Sequence, residues 1–137
     1  MKSQLFIFCD MEGASGITDE NRSALVHGSE QWRQFGRDCI TSDLKAVCDA
    51  AIEHGIEDIL VYDGHYAGDD EPNVKPDQLP QRVRLVDVPH RCIYWRRIRG
   101  QIDTEPFGMV FVGQHARYGA VNAYFAHTIQ PRFRELT

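Results

Sequence analysis

Leu5-Phe-Ile-Phe-Cys9, followed at once by Asp10-Met-Glu-Gly13, is the stretch that decides the fold of this chain. A short apolar run with no polar alternation is what a strand buried on both faces of a sheet requires. The abrupt change to acidic residues and glycine places a polar turn at the strand's C-terminal edge.

Outward from this strand, the apolar residues Phe35, Cys39, Ile40, Leu44, Val47, Cys48, Ala51 and Ile52 recur at helical spacing between Glu30 and His54. Gly55 stands where a helix C-cap belongs. Ile56 and Ile59-Leu-Val-Tyr62 then form a second buried run, closing on Asp63-Gly-His65. Strand, long helix and strand make a βαβ unit, whose strands run parallel.

The Asp-, Gly- and Pro-rich stretch from Ala67 to Pro80 reads as a loop, and Val83 to Val88 as a short strand. A helical turn is expected near Ile93 to Ile98. Met109-Val-Phe-Val112 is another buried strand, ending at Gly113-Gln-His-Ala116, and Ala123 to Ile129 is expected to form a further strand carrying His127. The expected fold class is therefore α/β, a three-layer sandwich with a mostly parallel sheet. Ligands of such sheets sit beyond the carboxyl ends of the strands.

With 137 residues the chain is long enough for one α/β domain with its own core. Its 42% hydrophobic and 26% charged residues match ordinary globular proteins and exclude disordered or fibrous classes. The net charge of −5 disfavours general binding to nucleic acid or to an anionic membrane. The basic and aromatic cluster of Arg91, Tyr94, Trp95, Arg96, Arg97 and Arg99 reads as a solvated face or a subunit contact rather than a nucleic-acid groove. Asp10 and Glu12 interrupt the N-terminal apolar run before it reaches signal-peptide length, so a cytoplasmic location is the expectation. Cys9, Cys39, Cys48 and Cys92 show neither a Cys-x-x-Cys pair nor zinc-finger spacing and read as reduced, mostly buried thiols.

Asp10 and Glu12 are one residue apart at a strand end, so both carboxylates can turn to the same side and bind a cation. An isolated Asp-x-Glu more often faces water. His65 and His115, however, each follow a different strand, and unrelated structural histidines have no reason to collect at one sheet edge. Imidazole beside carboxylate suits zinc, manganese or iron better than calcium or magnesium. His127 is open to several readings: a ligand, a proton carrier, an oxyanion donor or a hydrogen-bonded structural residue. His27, His54 and His90 read as structural or solvated, and Asp69-Asp-Glu71 as a solvated acidic loop. Walker, Gly-x-Ser-x-Gly and Gly-x-Gly-x-x-Gly motifs are missing.

Asp10-Met-Glu-Gly-Ala-Ser-Gly16, Asp63-Gly-His65, Gly113-Gln-His-Ala116 and His127-Thr128, taken in this order, resemble the D-aminopeptidase family of dinuclear zinc peptidases, peptidase family M55. The resemblance extends over nearly the whole chain but only about the N-terminal half of a typical member. It therefore implies a single α/β domain over residues 1–137 that forms the N-terminal portion of a longer catalytic domain. It also implies that Asp10, Glu12, His65 and His115 are metal ligands, with Asp10 as the bridge, and that His127 is the catalytic histidine. Two zinc ions per complete site, short peptide substrates with an N-terminal D-residue and a ring-like homo-oligomer are further implications. Gln114 stands where the family often has an aromatic residue. The family's further glutamate ligand lies beyond the last residue of this chain, and Glu135 is too close to His127 to match it.

Two rival expectations remain at this level. A buried strand opening into an acidic, Gly-containing loop also begins haloacid-dehalogenase-like phosphohydrolases, with Asp10 as nucleophile, although these carry a second aspartate where Glu12 stands. The other is an inactive metal-binding or assembly module that lacks the last ligand.

Overall fold

The computed structural model describes residues 4–65, 71–86, 106–117, 119–123 and 126–127. Among these residues, four parallel strands, β1 (Gln4–Cys9), β2 (Asp58–Asp63), β3 (Val83–Leu85) and β4 (Gly108–Val112), form one sheet in the order β3-β2-β1-β4. Chain order runs outward from β1 through β2 to β3, and then β4 returns to the opposite side of β1. That reversal makes the C-terminal end of β1 the switch point at which open α/β sheets leave a crevice.

Register brings the strand ends level. Cys9 pairs with Asp63 on one side and with Val112 on the other. Just beyond, the Gly64 N–H donates to the Cys9 carbonyl at 2.8 Å, and the Asp10 N–H to the Val112 carbonyl at 2.9 Å. Three polar turns therefore leave the sheet side by side.

β1 is apolar throughout its centre because each of its faces meets a core. Leu5, Ile7 and Cys9 pack with Ile59, Val61 and Val112 against the helix α1 (Arg37–Glu53), which contributes Ile40, Leu44 and Cys48. Phe6 turns to the other face with Leu60, Tyr62 and Val86. Burial of each large aliphatic side chain here stabilises the fold by roughly 1.5–3 kcal/mol. An apolar core on each side of a parallel sheet is the arrangement expected of the three-layer sandwich.

α1 ends as its sequence predicts. Gly55, at φ 87°, takes the left-handed position, and its N–H bonds the Ile52 carbonyl while the Ile56 N–H bonds that of Ala51. The start of the helix differs from expectation. A π-helical turn, Trp32–Gly36, precedes α1, and its wider turn shifts which side chains face the core. Trp32 is fully buried, whereas Phe35, placed on the apolar face by helical spacing, is 39% exposed.

Loop and strand boundaries are close to those read from the sequence. The stretch from Glu71 to Pro80 is irregular apart from a 3-10 turn at Pro76–Gln78, and β3 ends at Leu85. Ala123, Ala126 and His127 are not in a strand, a departure from the extended segment expected there. The expected helical turn at 93–98, the basic cluster and Cys92 lie outside the described residues. Among the described residues, Cys9, Cys39 and Cys48 are free thiols, and no helix is long and apolar enough to cross a membrane.

Candidate metal centre

The turn after β1 holds its two carboxylates inward. Asp10 and Glu12 are both buried, and the Met11 N–H donates to Asp10 Oδ1 at 2.9 Å. The turn is secured from two directions. Its Gly13 N–H donates to the Gly113 carbonyl at 2.7 Å, and the Ser15 N–H donates to Asp43 Oδ2 of α1 at 2.7 Å. Gly113 has φ 67°, and a Cβ there would overlap the Asp10 carbonyl oxygen. Only glycine lets the turn after β4 approach the turn after β1 this closely.

His65 enters from the end of β2. Its Nδ1 lies 3.0 Å from Glu12 Oε2 and 3.6 Å from Asp10 Oδ1, and its Nε2 lies 2.9 Å from the Leu25 carbonyl. A carbonyl only accepts, so Nε2 carries hydrogen and donates to it. The protonated ring also donates from Nδ1 to the carboxylates, and loss of that proton leaves a neutral imidazole whose lone pair, on Nδ1, faces them. Leu25 ends the 3-10 segment Asp19–Leu25, which is thereby part of the site.

The other two histidines approach from the β4 side. His115 Nε2 is 3.3 Å from Asp10 Oδ2, with Nδ1 3.0 Å from the Ala116 carbonyl. His127 stacks on His115 with ring centroids 3.8 Å apart, and its Nε2 is 3.5 Å from Glu12 Oε1. The His115 side chain is 8% exposed, whereas that of His127 is 48% exposed, which makes His127 the outermost of the five. All five residues singled out by sequence converge on one place.

Burial opposes ionisation of the acids, and their neighbours decide how each responds. For Asp10, burial prevails over the hydrogen bond to His65, and Glu12 adds to the rise, lifting the carboxyl to about 6. For Glu12, burial is outweighed by hydrogen bonds to His65 and Asp10, which hold it well below the usual carboxylate range. Burial alone would lower the His65 imidazole, but hydrogen bonds and charge from Asp10 and Glu12 lift it to about 10. Cys9, beneath them, is pushed well up by burial and by Asp63 and Asp10, so it remains a thiol.

One oxygen each from Asp10 and Glu12 and one nitrogen from His65 lie within 4.8 Å of one another, close enough to converge on one cation. The donor chemistry fits a divalent metal of the zinc type: buried carboxylate oxygens beside an imidazole whose opposite nitrogen is fixed by a carbonyl. A cation would also offset the concentrated acidic charge.

Beneath His65 lies a network that joins Asp63, which the resemblance implies is at most a neighbour of the ligands, to Asn73, which sequence reading missed. Asp63 accepts from the Asn73 N–H at 2.7 Å, from Asn73 Nδ2 at 2.9 Å and from the Val74 N–H at 3.4 Å. Burial raises this carboxyl, and the Asn73 bonds oppose the rise. Asn73 sits in an unpatterned loop, where nothing local distinguishes it from a solvated turn residue. His27 and His54 have structural surroundings: His27 lies against Trp32 and the Glu71 carbonyl, and His54 against the Ala50 carbonyl. Glu71 is ion-paired with Arg37 rather than simply solvated. His90, Asp69 and Asp70 lie outside the described residues.

A model of the D-aminopeptidase family, peptidase family M55, matches residues 1–137. No curated protein matches the chain by sequence. Among solved structures, the fold is similar to that of the zinc-dependent D-aminopeptidase DppA from Bacillus subtilis, described as a self-compartmentalizing protease, at a TM-score of 0.72 and 23% identity. The alignment covers 93% of this chain and 43% of that one. At this identity the likeness establishes a shared α/β fold, and the chain spans less than half the length of that enzyme.

Proposed function

Because the chain belongs to the D-aminopeptidase family, we propose that it contributes the metal-binding and proton-transfer residues of a zinc-dependent aminopeptidase acting on short peptides with an N-terminal D-residue. The observation that carries this reading is the convergence of Asp10, Glu12, His65, His115 and His127 from three strand ends and one later loop. Asp10 would serve as the ligand shared between the two halves of the site, a reading supported by Oδ1 facing His65 while Oδ2 faces His115. Glu12 and His65 complete the inner side, and His115 the outer. Zinc is the favoured metal on this donor set, with manganese or iron compatible.

Zinc held by these residues would supply Lewis acidity, for lowering the pKa of water toward neutrality and for polarising a scissile carbonyl. The chain's own residues do the remaining work. His127 is the exposed member, so a substrate can reach it, while its ring is oriented by the parallel face of His115. Its Nε2 faces Glu12, which makes it the group best placed to take up a proton and deliver it to the leaving amine. Glu12, held ionised, keeps that imidazole turned toward the site. A phosphohydrolase with Asp10 as nucleophile fits less well, because Met11 N–H and His115 already engage its two oxygens.

Residues 1–137 are read as the N-terminal portion of a longer catalytic domain, and a ring-like homo-oligomer admitting only short peptides accompanies this proposal. The deciding experiment is His127→Ala in the complete protein. Hydrolysis of D-aminoacyl peptides should fall by about 10²–10⁴-fold while metal content stays near that of the parent. Unchanged turnover would remove His127 from the mechanism.

A further inference from the structure

We infer that Asn73 is a positioning residue for the metal centre, acting through a buried Trp32–Asn73–Asp63 network that holds the backbone of His65. The inference rests on the metal-site reading above, in which His65 Nδ1 is a ligand atom. It adds a residue lying outside every motif that carries the family resemblance.

Asn73 is completely buried, and each of its side-chain groups is engaged. Its Oδ1 accepts from Trp32 Nε1 at 2.9 Å. Its Nδ2 donates to Asp63 Oδ1 at 2.9 Å and to the His65 carbonyl at 2.6 Å. The neighbours set the amide's orientation: an indole N–H can only donate, while a carboxylate and a carbonyl only accept. One side chain thus ties the π-helical turn, the end of β2 and the backbone of His65 together.

This tie has a geometric consequence. The His65 imidazole must satisfy two directions at once, Nε2 toward the Leu25 carbonyl and Nδ1 toward Glu12 and Asp10. A ring pinned at both nitrogens tolerates little movement of its own backbone. The His65 carbonyl is held by Asn73, and the preceding Asp63 carboxylate is held by Asn73 again and by Val74 N–H. Outside this network, the loop is secured by Lys75 N–H donating to Thr41 Oγ1 of α1 at 3.0 Å. Removing the Asn73 amide would therefore leave the loop attached while releasing the imidazole's support.

The test compares Asn73→Ala and Trp32→Phe with the parent, using cobalt(II) as the metal probe. Trp32→Phe keeps an aromatic ring but removes the donor to Asn73. Leu44→Ala, a core substitution on α1 that removes none of the network's hydrogen bonds, serves as a variant of lowered stability. Indirect partners of ligating histidines typically contribute 10–100-fold to metal affinity. Asn73→Ala should weaken cobalt binding by about this range and alter the cobalt visible spectrum, and Trp32→Phe should do so less strongly. Leu44→Ala should lower the melting temperature and leave the affinity and spectrum of the folded protein unchanged. Long-range ¹⁵N–¹H NMR of the His65 ring in metal-free protein gives a reading that needs no metal. Parent-like cobalt affinity, cobalt spectrum and His65 resonances in folded Asn73→Ala would overturn the positioning role. If the parent binds no cobalt or zinc, the metal-site reading fails, and displaced His65 ring resonances in Asn73→Ala would still support the tie. Should Asn73→Ala not fold, Trp32→Phe decides: parent-like values in it would overturn the inference, and the graded loss would uphold it.

Discussion

The two sides of the site are built differently. On the inner side, Asp10, Glu12 and His65 are buried, and backbone groups from the 3-10 segment and the turn itself hold Asp10 and His65. On the outer side, His115 and His127 rest on each other, and His127 is half exposed. A metal ligand needs a pre-formed position in a place that restricts water, whereas a group that passes protons to a substrate needs access. The difference in burial sets His127 apart from the four proposed ligands, His115 among them with a side chain 8% exposed.

The largest test of this contrast is acidity. In the metal-free protein His65 holds its proton to about 10 and Asp10 to about 6. A metal must displace both protons, so affinity should rise about tenfold per pH unit between pH 7 and 8 and more steeply below about 6. Calorimetry in buffers of different ionisation enthalpy would count the released protons. The sign reverses for stability without metal. His65 contributes stability in full below its unfolded value near 6.5, and that contribution is withdrawn as pH rises through about 10. Urea titrations of metal-free protein at pH 7 and pH 9.5 should show the loss, and its absence would mean that His65 is not paired as described.

Side-chain removal should separate the two sides next. His65→Ala is expected to weaken metal binding by more than the roughly 100-fold ceiling for indirect partners, whereas His127→Ala leaves it near the parent. Equal losses in equilibrium dialysis would erase the distinction between the sides. Gly113→Ala probes the seam between them. The left-handed backbone and the overlap with the Asp10 carbonyl should cost about 1–3 kcal/mol of stability or more, measurable by chemical denaturation. The smallest effect is expected for Asp43→Ala, which removes the exposed acceptor of the Ser15 N–H. A loss of about 0.5–1.5 kcal/mol is the ordinary contribution of such a bond, with less than a tenfold change in metal affinity.

Sequence periodicity located the strands and α1, since buried parallel strands and an amphipathic helix leave patterns that do not depend on distant residues. Asp10, Glu12, His65 and His115 were legible because each follows a recognisable strand within a short Gly-containing motif, whereas the role of His127 stayed open until the family resemblance assigned it. Phe35 shows where periodicity failed: a single π-helical turn rotates the face, and no composition signal marks it. Asn73 shows a second limit. Its importance comes from bonds to Asp63, His65 and Trp32, the last of them 41 residues away, and no local pattern announces these contacts.

By itself, the sequence determined which residues end the strands and which chemistry they bring, because side-chain type and spacing are local properties. The tertiary structure alone decided that β4 returns beside β1, that Gly113 admits the Asp10 turn and that the Leu25 carbonyl selects the imidazole nitrogen facing the acids. Those outcomes depend on contacts between segments distant in sequence, and the energies that set them exist only once the sheet has brought the segments together.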